Sequence, residues 1–270
     1  MDTDTHTAVE RLQRLRRDTD AAAVAHAAYR QLLELLDGLA PSDWTAATEC
    51  DGWDVAAMVG HLIGAAKAGA SLRETARQQF VGARRAAEHD GNDLDACNAL
   101  QVRDHAGLDP AARVAELRRV APRAVRGRMR LPRPLRAVSV TLSTGGSTAP
   151  GTPDRLRLGE LMDVVYSRDV WLHTIDIARA TGRRRPPAPE LDRRILEDVV
   201  AEWARRHGHP FGLELTGDVA GRYRAGEGGP HLTIDAVEFC RVLSGRADPD
   251  GHGDAVPPAA AELLRRRLLF

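Results

Sequence analysis

A chain of 270 residues in which 38 Lys plus Arg balance 38 Asp plus Glu has no net field to draw it onto nucleic acid or a membrane surface. It is long enough to bury a real core in one large or two small domains, and two is the better expectation. Cys50, Cys97 and Cys240 lie far apart with no C-x-x-C, which excludes a disulfide framework and a cysteine zinc site and fits a reducing cytoplasm.

The N-terminal stretch MDTDTHTAVERLQRLRRD is charged and lacks the apolar centre of a signal peptide. No later run approaches the ~20 apolar residues of a membrane span. A cytoplasmic protein with no membrane partner is therefore expected. The first ten or so residues read as loose, and from about Val9 to Leu39 apolar residues recur at helical spacing until Gly38 and Pro41 end the run. In CDGWDVAAMVGHLIGAAKAGASL, Asp54 is placed as an N-cap, with Trp53 and Met58 spaced as a hydrophobic staple. A helix from Val55 then carries His61 in its second turn. Helical periodicity returns from Leu94 to Ala106 and from Pro110 to about Val125. It fails in RGRMRLPRPLRAVSVTLSTGGSTAPGTPD, which reads as a loop or a short extended insertion.

The next helix runs from about Leu158 to Thr181 and stops at Gly182. Pro186, Pro187 and Pro189 follow and mark the domain boundary, because proline cannot sit inside a helix. The division is thus a helical domain over 1–183 and a smaller one over 184–270. The second reads as a helix (ELDRRILEDVVAEWARRHG), three short strands (FGLELTG, AGRYRAG, HLTID) and a helix (AVEFCRVLSGRA), a small α+β domain.

The chemistry concentrates in SRDVWLHTIDIARATG, where Asp169 and His173 stand one helical turn apart with Asp176 three residues on. With His61 they offer three nitrogen or oxygen donors from two helices and no obvious fourth. That set suits zinc or a similar divalent ion with one position left open. Each piece also has an ordinary explanation: a surface Asp/His pair, or a histidine packed in an alanine-rich helix. Asp176 is either a partner that orients His173 through its other ring nitrogen or a solvent-facing acid. Between Arg113 and Arg136 arginines crowd against a single acid, Glu116. They form either an anion-binding patch for phosphate or carboxylate or a solvated face, and the lack of stacking aromatics argues against nucleic acid. No phosphate loop, nucleophile elbow, H-E-x-x-H or dinucleotide fingerprint is present.

Three stretches together resemble one family. DWTAATECDGWDVAAMVGHLIG resembles the N-terminal signature of the mycothiol-dependent maleylpyruvate isomerases, a branch of the DinB-like four-helix bundles. VVYSRDVWLHTIDIARATGR resembles their last bundle helix, and LTGDVAGRYRAGEGGPHLTIDAVEFCRVLSGRADPDG resembles their small sterol-carrier-like α+β domain. The resemblance implies a mainly α fold, a DinB-like bundle followed by that small domain. It implies a metal held by His61, Asp169 and His173, with aspartate at 169 where the archetype has glutamate. It also implies mycothiol as thiol cosubstrate, activated as thiolate, for isomerisation or thiol transfer on a small electrophilic, anionic substrate. An arginine of the C-terminal domain would meet that anion, and Arg222 and Arg224 are the candidate catalytic residues. A binding protein that has lost the chemistry and a metal-dependent hydrolase share this fold and stay open as alternatives. The pattern carries no signal for oligomeric state.

Overall fold

The structure is a computed structural model that describes residues 6–141 and 155–270. The chain divides into two compact units: residues 6–15 with 189–269, and residues 16–141 with 155–188 and Phe270.

In chain order, β1 (Thr7–Ala8) leads through a 3-10 turn to α1 (Ala21–Asp37), α2 (Val55–Ala70), α3 (Leu72–Arg85), α4 (Asp93–Asp104) and α5 (Pro110–Arg130). The short α6 (Arg133–Arg136) precedes an antiparallel ribbon of β2 (Ser139–Thr141) and β3 (Arg155–Arg157). Then α7 (Leu158–Glu160) runs through a π turn, Leu161–Val165, into α8 (Tyr166–Thr181). Side chains cap the helices that the sequence places there. Asp54 accepts from the Ala57 amide at 2.7 Å, Asn92 from the amides of Leu94 and Asp95, and Asp109 from that of Ala112.

α1, α2, α5 and α8 form a four-helix bundle in which each long helix meets two others. Its core is aliphatic, built on Leu32, Met58, Leu62, Ile63, Leu117 and Leu172, with Trp171 fully buried among the large side chains. α2 and α5 approach to backbone contact, because a Cβ at Gly127 would collide with the Gly69 carbonyl oxygen. Among the described residues, no helix is long and apolar enough to cross a membrane.

The smaller unit continues with α9 (Pro189–His207), β4 (Phe211–Thr216), β5 (Gly221–Ala225), β6 (His231–Asp235), α10 (Ala236–Ser244) and α11 (Pro258–Leu264). The sheet order is β1-β5-β4-β6, with β4 antiparallel to β5 and parallel to β6. Alternation in β4 buries Phe211, Leu213 and Leu215. Trp203 of α9 meets Phe211 and Phe239 edge-on, at ring-centroid distances of 4.6 and 5.3 Å, while its indole N–H donates to the Leu263 carbonyl. The molecule is thus mainly α with a small sheet, as the sequence implied.

Four local expectations are corrected. The first helix begins at Ala21, not near Val9, and residues 6–15 are not loose: β1 pairs in parallel with β5, and Leu15 is buried. These residues therefore belong to the small unit. α3 was not read at all, since its face is mostly polar and buries only Gln78 and Gly82. α5 continues past Val125 to Arg130, through Pro122, so RGRMR is helical. Beyond β2 the rest of the expected insertion, 142–154, lies outside the described residues. Finally, the helix expected from Leu158 is interrupted by the π turn, which resets the register just before Tyr166.

Candidate metal centre

α2 and α8 face each other within the bundle. His61 lies two turns into α2, and Asp169 and His173 lie one turn apart on α8. Asp169 Oδ1 stands 3.5 Å from His61 Nε2 and 3.3 Å from His173 Nε2. One ligand atom from each of the three residues falls within 4.8 Å of the others. Zinc bonds of about 2.1 Å at tetrahedral angles place neighbouring ligand atoms roughly 3.4 Å apart. The donor set and its spacing therefore fit a divalent cation with one position left for an outside ligand.

Asp176 is fully buried, so the solvent-facing reading is excluded. Its Oδ2 lies 2.9 Å from His173 Nδ1. With the Nδ1 proton donated to that carboxylate, the Nε2 lone pair of His173 points toward Asp169 and His61. Burial works against the charge on Asp169, but the charges of His173 and His61 and hydrogen bonds from both hold its carboxyl well below the usual range. Burial also disfavours an imidazolium at His173. The Asp169 charge, and hydrogen bonds with Asp169, Asp176 and Cys50, outweigh it and lift His173 well above the ordinary histidine value. In the metal-free protein a proton on His173 thus balances the carboxylates.

Two residues of this centre were missed by sequence reasoning. Trp53, read only as half of a staple, sets its ring 5.1 Å from that of His61 and 6.4 Å from that of His173. His61 Nδ1 is buried with no hydrogen-bond partner among the described residues, so ring packing orients this histidine instead. Cys50, read only for redox compartment, lies with His173 and Asp176 in a second group whose ligand atoms are within 4.8 Å of one another. Both come from the turn that precedes α2. There the Trp53 amide donates to the Cys50 carbonyl, the Thr48 amide donates to that of Trp53, and Gly52 takes φ +76°. The visible signal was the tight DG turn before a capped helix.

The arginines fall differently. Arg222 and Arg224 are both exposed on β5, pointing away from the buried Tyr223, and Arg222 pairs with Glu214 on β4 at 3.1 Å. The run from Arg113 to Arg136 is not one solvated face. Arg118 pairs with Asp37, Arg119 with Glu116 and Arg136 with Asp163, whereas Arg113 and Arg128 are buried.

The family profile described as "Mycothiol maleylpyruvate isomerase N-terminal domain" matches residues 25–178, more than half of the 270-residue chain. None of the curated proteins matches it. Among solved structures, the crystal structure of the mycothiol-dependent maleylpyruvate isomerase shares the fold with a TM-score of 0.51 at 17% identity, over 89% of this chain and 92% of that one. A histidine-to-alanine mutant of that isomerase gives a TM-score of 0.51 at 16% identity over the same shares. The matched span contains His61, Asp169 and His173, and by that match the chain belongs to the mycothiol maleylpyruvate isomerase family.

Proposed function

We propose that His61, Asp169 and His173 hold a divalent cation, zinc or a close analogue, in an enzyme that uses mycothiol for isomerisation or thiol transfer on a small electrophilic, anionic substrate. One observation carries this reading: two imidazole Nε2 atoms converge on one carboxylate oxygen at 3.5 and 3.3 Å. A cation bound there supplies the charge that keeps a small thiol in its nucleophilic thiolate form.

The chain's own residues do the rest. Asp176 fixes the tautomer of His173, and Asp169 contributes the one negative charge among the three ligands. Trp53 packs an apolar ring against both histidines and keeps water from that side. Aspartate at 169 is one methylene shorter than glutamate, so its carboxylate sits closer to the α8 backbone. Reversible addition of a thiolate to an activated double bond permits rotation about that bond, which is isomerisation; displacement of a leaving group is thiol transfer. Maleylpyruvate is the first substrate to try, and Arg222 and Arg224 are proposed to bind the anionic group of the substrate. The reaction belongs in the cytoplasm, where a small thiol stays reduced.

The test is elemental analysis of the purified protein beside its His61→Ala variant in metal-depleted buffer, followed by turnover with and without mycothiol. About one equivalent of metal in the native protein, little in the variant, and a thiol-dependent rate are expected. No metal after zinc is added would make this a binding protein. Bound metal with thiol-independent ester cleavage would make it a hydrolase. An unchanged KM in Arg224→Ala and Arg222→Ala would remove those two residues from the proposal.

A further inference from the structure

Within the bundle lies a buried cation that none of the described residues meets with a hydrogen bond. Arg128 on α5 is 2% exposed, and Nε, Nη1 and Nη2 of its guanidinium are all buried without a hydrogen-bond partner among the described residues. Its placement follows from the closest crossing of the bundle. Gly127 and Gly69 let α5 and α2 touch, and the Arg128 stem crosses Gly69 so tightly that a Cβ there would lie 3.3 Å from its Cγ. The side chain is thereby directed inward, and its guanidinium comes to rest over the Tyr166 ring, 5.5 Å from the centroid.

A ring face offsets only part of what a buried guanidinium loses on leaving water; its five N–H groups still want acceptors. Arg118, Arg119 and Arg136 of the same run found them, in Asp37, Glu116 and Asp163. Tyr166 lies one turn before Asp169 on α8, and Tyr29 on α1 feels the charges of both Arg128 and Asp169. Asp169 is already committed to two histidines. Burial pushes the Tyr166 phenol up to about 12 and raises that of Tyr29 as well, so both are neutral O–H donors at pH 7. A planar fork of donors with no acceptor among the described residues is the complement of a carboxylate.

We infer that Arg128 is the centre of a carboxylate-binding subsite inside the bundle that takes one carboxylate of a small organic anion. Tyr166 is only half-buried and covers the guanidinium, so it is the ring that an entering carboxylate displaces. In naming this anion as the substrate the inference rests on the function proposed above; the binding itself does not. It adds a second cation, on α5, to the two arginines proposed above for the anionic group of the substrate.

The test is calorimetric titration of maleate, a small dicarboxylate, into the full-length protein and its Arg128→Met variant, each metal-depleted and zinc-loaded. Native protein is expected to bind maleate in both states, and the variant about tenfold more weakly or worse, as befits a lost charge-assisted pair. Metal content of the variant should be unchanged. Equal affinity in the two proteins, or no binding by the native one, would overturn the inference. If Arg128→Met fails to fold, the Arg128 Nε–H resonance in the native protein decides: it should shift on adding maleate, and a fixed resonance at saturation counts against the site. The two readings fail separately. Arg128-dependent maleate binding in a protein that takes no metal upholds this one, while thiol-dependent turnover with maleate binding indifferent to Arg128 sinks it alone.

Discussion

In the small unit the buried acids Asp198 and Glu202 of α9 meet Arg14 at 2.7 and 2.8 Å, and Asp198 also accepts from the Leu15 amide at 2.7 Å. In the bundle, Arg128 and His61 Nδ1 are as well buried and have no hydrogen-bond partner among the described residues. Natural proteins pair nearly all their buried polar groups, so the exceptions need a reason. The small unit uses buried charge as a structural clasp that fastens residues 6–15 to α9. The bundle leaves groups open on α2, which carries His61, and on α5, which packs against it. Pairing marks architecture at Arg14, and its absence at Arg128 marks a place where a ligand would complete the bundle.

The same substitution made in each unit separates the two roles. Arg14→Met takes the arginine from buried Asp198, which keeps the Leu15 amide, and one of two arginines from Glu202, which keeps Arg206; it should cost about 3 kcal/mol in denaturant unfolding. Arg128→Met removes a charge with no ion-pair partner among the described residues, and should leave the midpoint unchanged or raised. Equal losses in both would mean that Arg128 is a structural residue like Arg14. Next in size is Asp176→Asn. It keeps an acceptor for His173 Nδ1 but removes the charge behind it, and about a tenfold loss in zinc affinity is expected by competition with a chelating dye. Unchanged affinity would leave Asp176 as packing alone.

How far the sequence disclosed this arrangement depended on whether the signal was local. Helical spacing put Asp169 and His173 on one face but left an ordinary pair open, and it was the family resemblance of the stretches around them that joined His61 to Asp169 and His173 as a ligand set. The strands β4, β5 and β6 were legible by their alternation, and Gly182 by the left-handed φ of +64° that it supplies at the end of α8. What escaped was long-range or lay in a biased composition. Nothing in Thr7–Ala8 announces a partner at Tyr223 and Arg224. Asp176 could be read two ways until α8 packed and buried it. In a run so rich in arginine, periodicity cannot tell Arg128, which turns inward at a glycine crossing, from Arg118, which does not.

Histidines sharpen the contrast through pH. Burial, together with the charges of His209 and Arg266, pushes His207 of the small unit down to about 4. The unfolded chain binds that proton near pH 6.5. Between about 6.5 and 4 the unfolded state therefore holds more protons, and the small unit loses stability as pH falls. His173 in the metal-free bundle has the opposite sign: its folded value is raised, so its contribution is full below about 6.5 and is lost as pH climbs through that folded value. Hydrogen exchange read separately on α9 and α8 should show these opposed slopes, and His207→Phe should flatten the first only. Parallel slopes would remove the electrostatic difference between the units.

The smallest expected effect tests the premise that burial, not distance, decides. Arg118 meets both carboxylate oxygens of Asp37 at 2.8 and 2.7 Å, the same lengths that join Arg14 to its two acids. Both partners, however, are 54% exposed. Water solvates each ion nearly as well as its partner does, salt screens the pair, and ordering two long side chains costs entropy. Arg118→Ala should therefore change stability by no more than about 0.5 kcal/mol, and by less still in 0.5 M salt, in the same denaturant assay that registers Arg14→Met. A loss comparable to that of Arg14→Met would show that ion-pair geometry alone carries the energy. The unpaired state of Arg128 would then lose its meaning, because the contrast between the two units rests on what burial does to a charge.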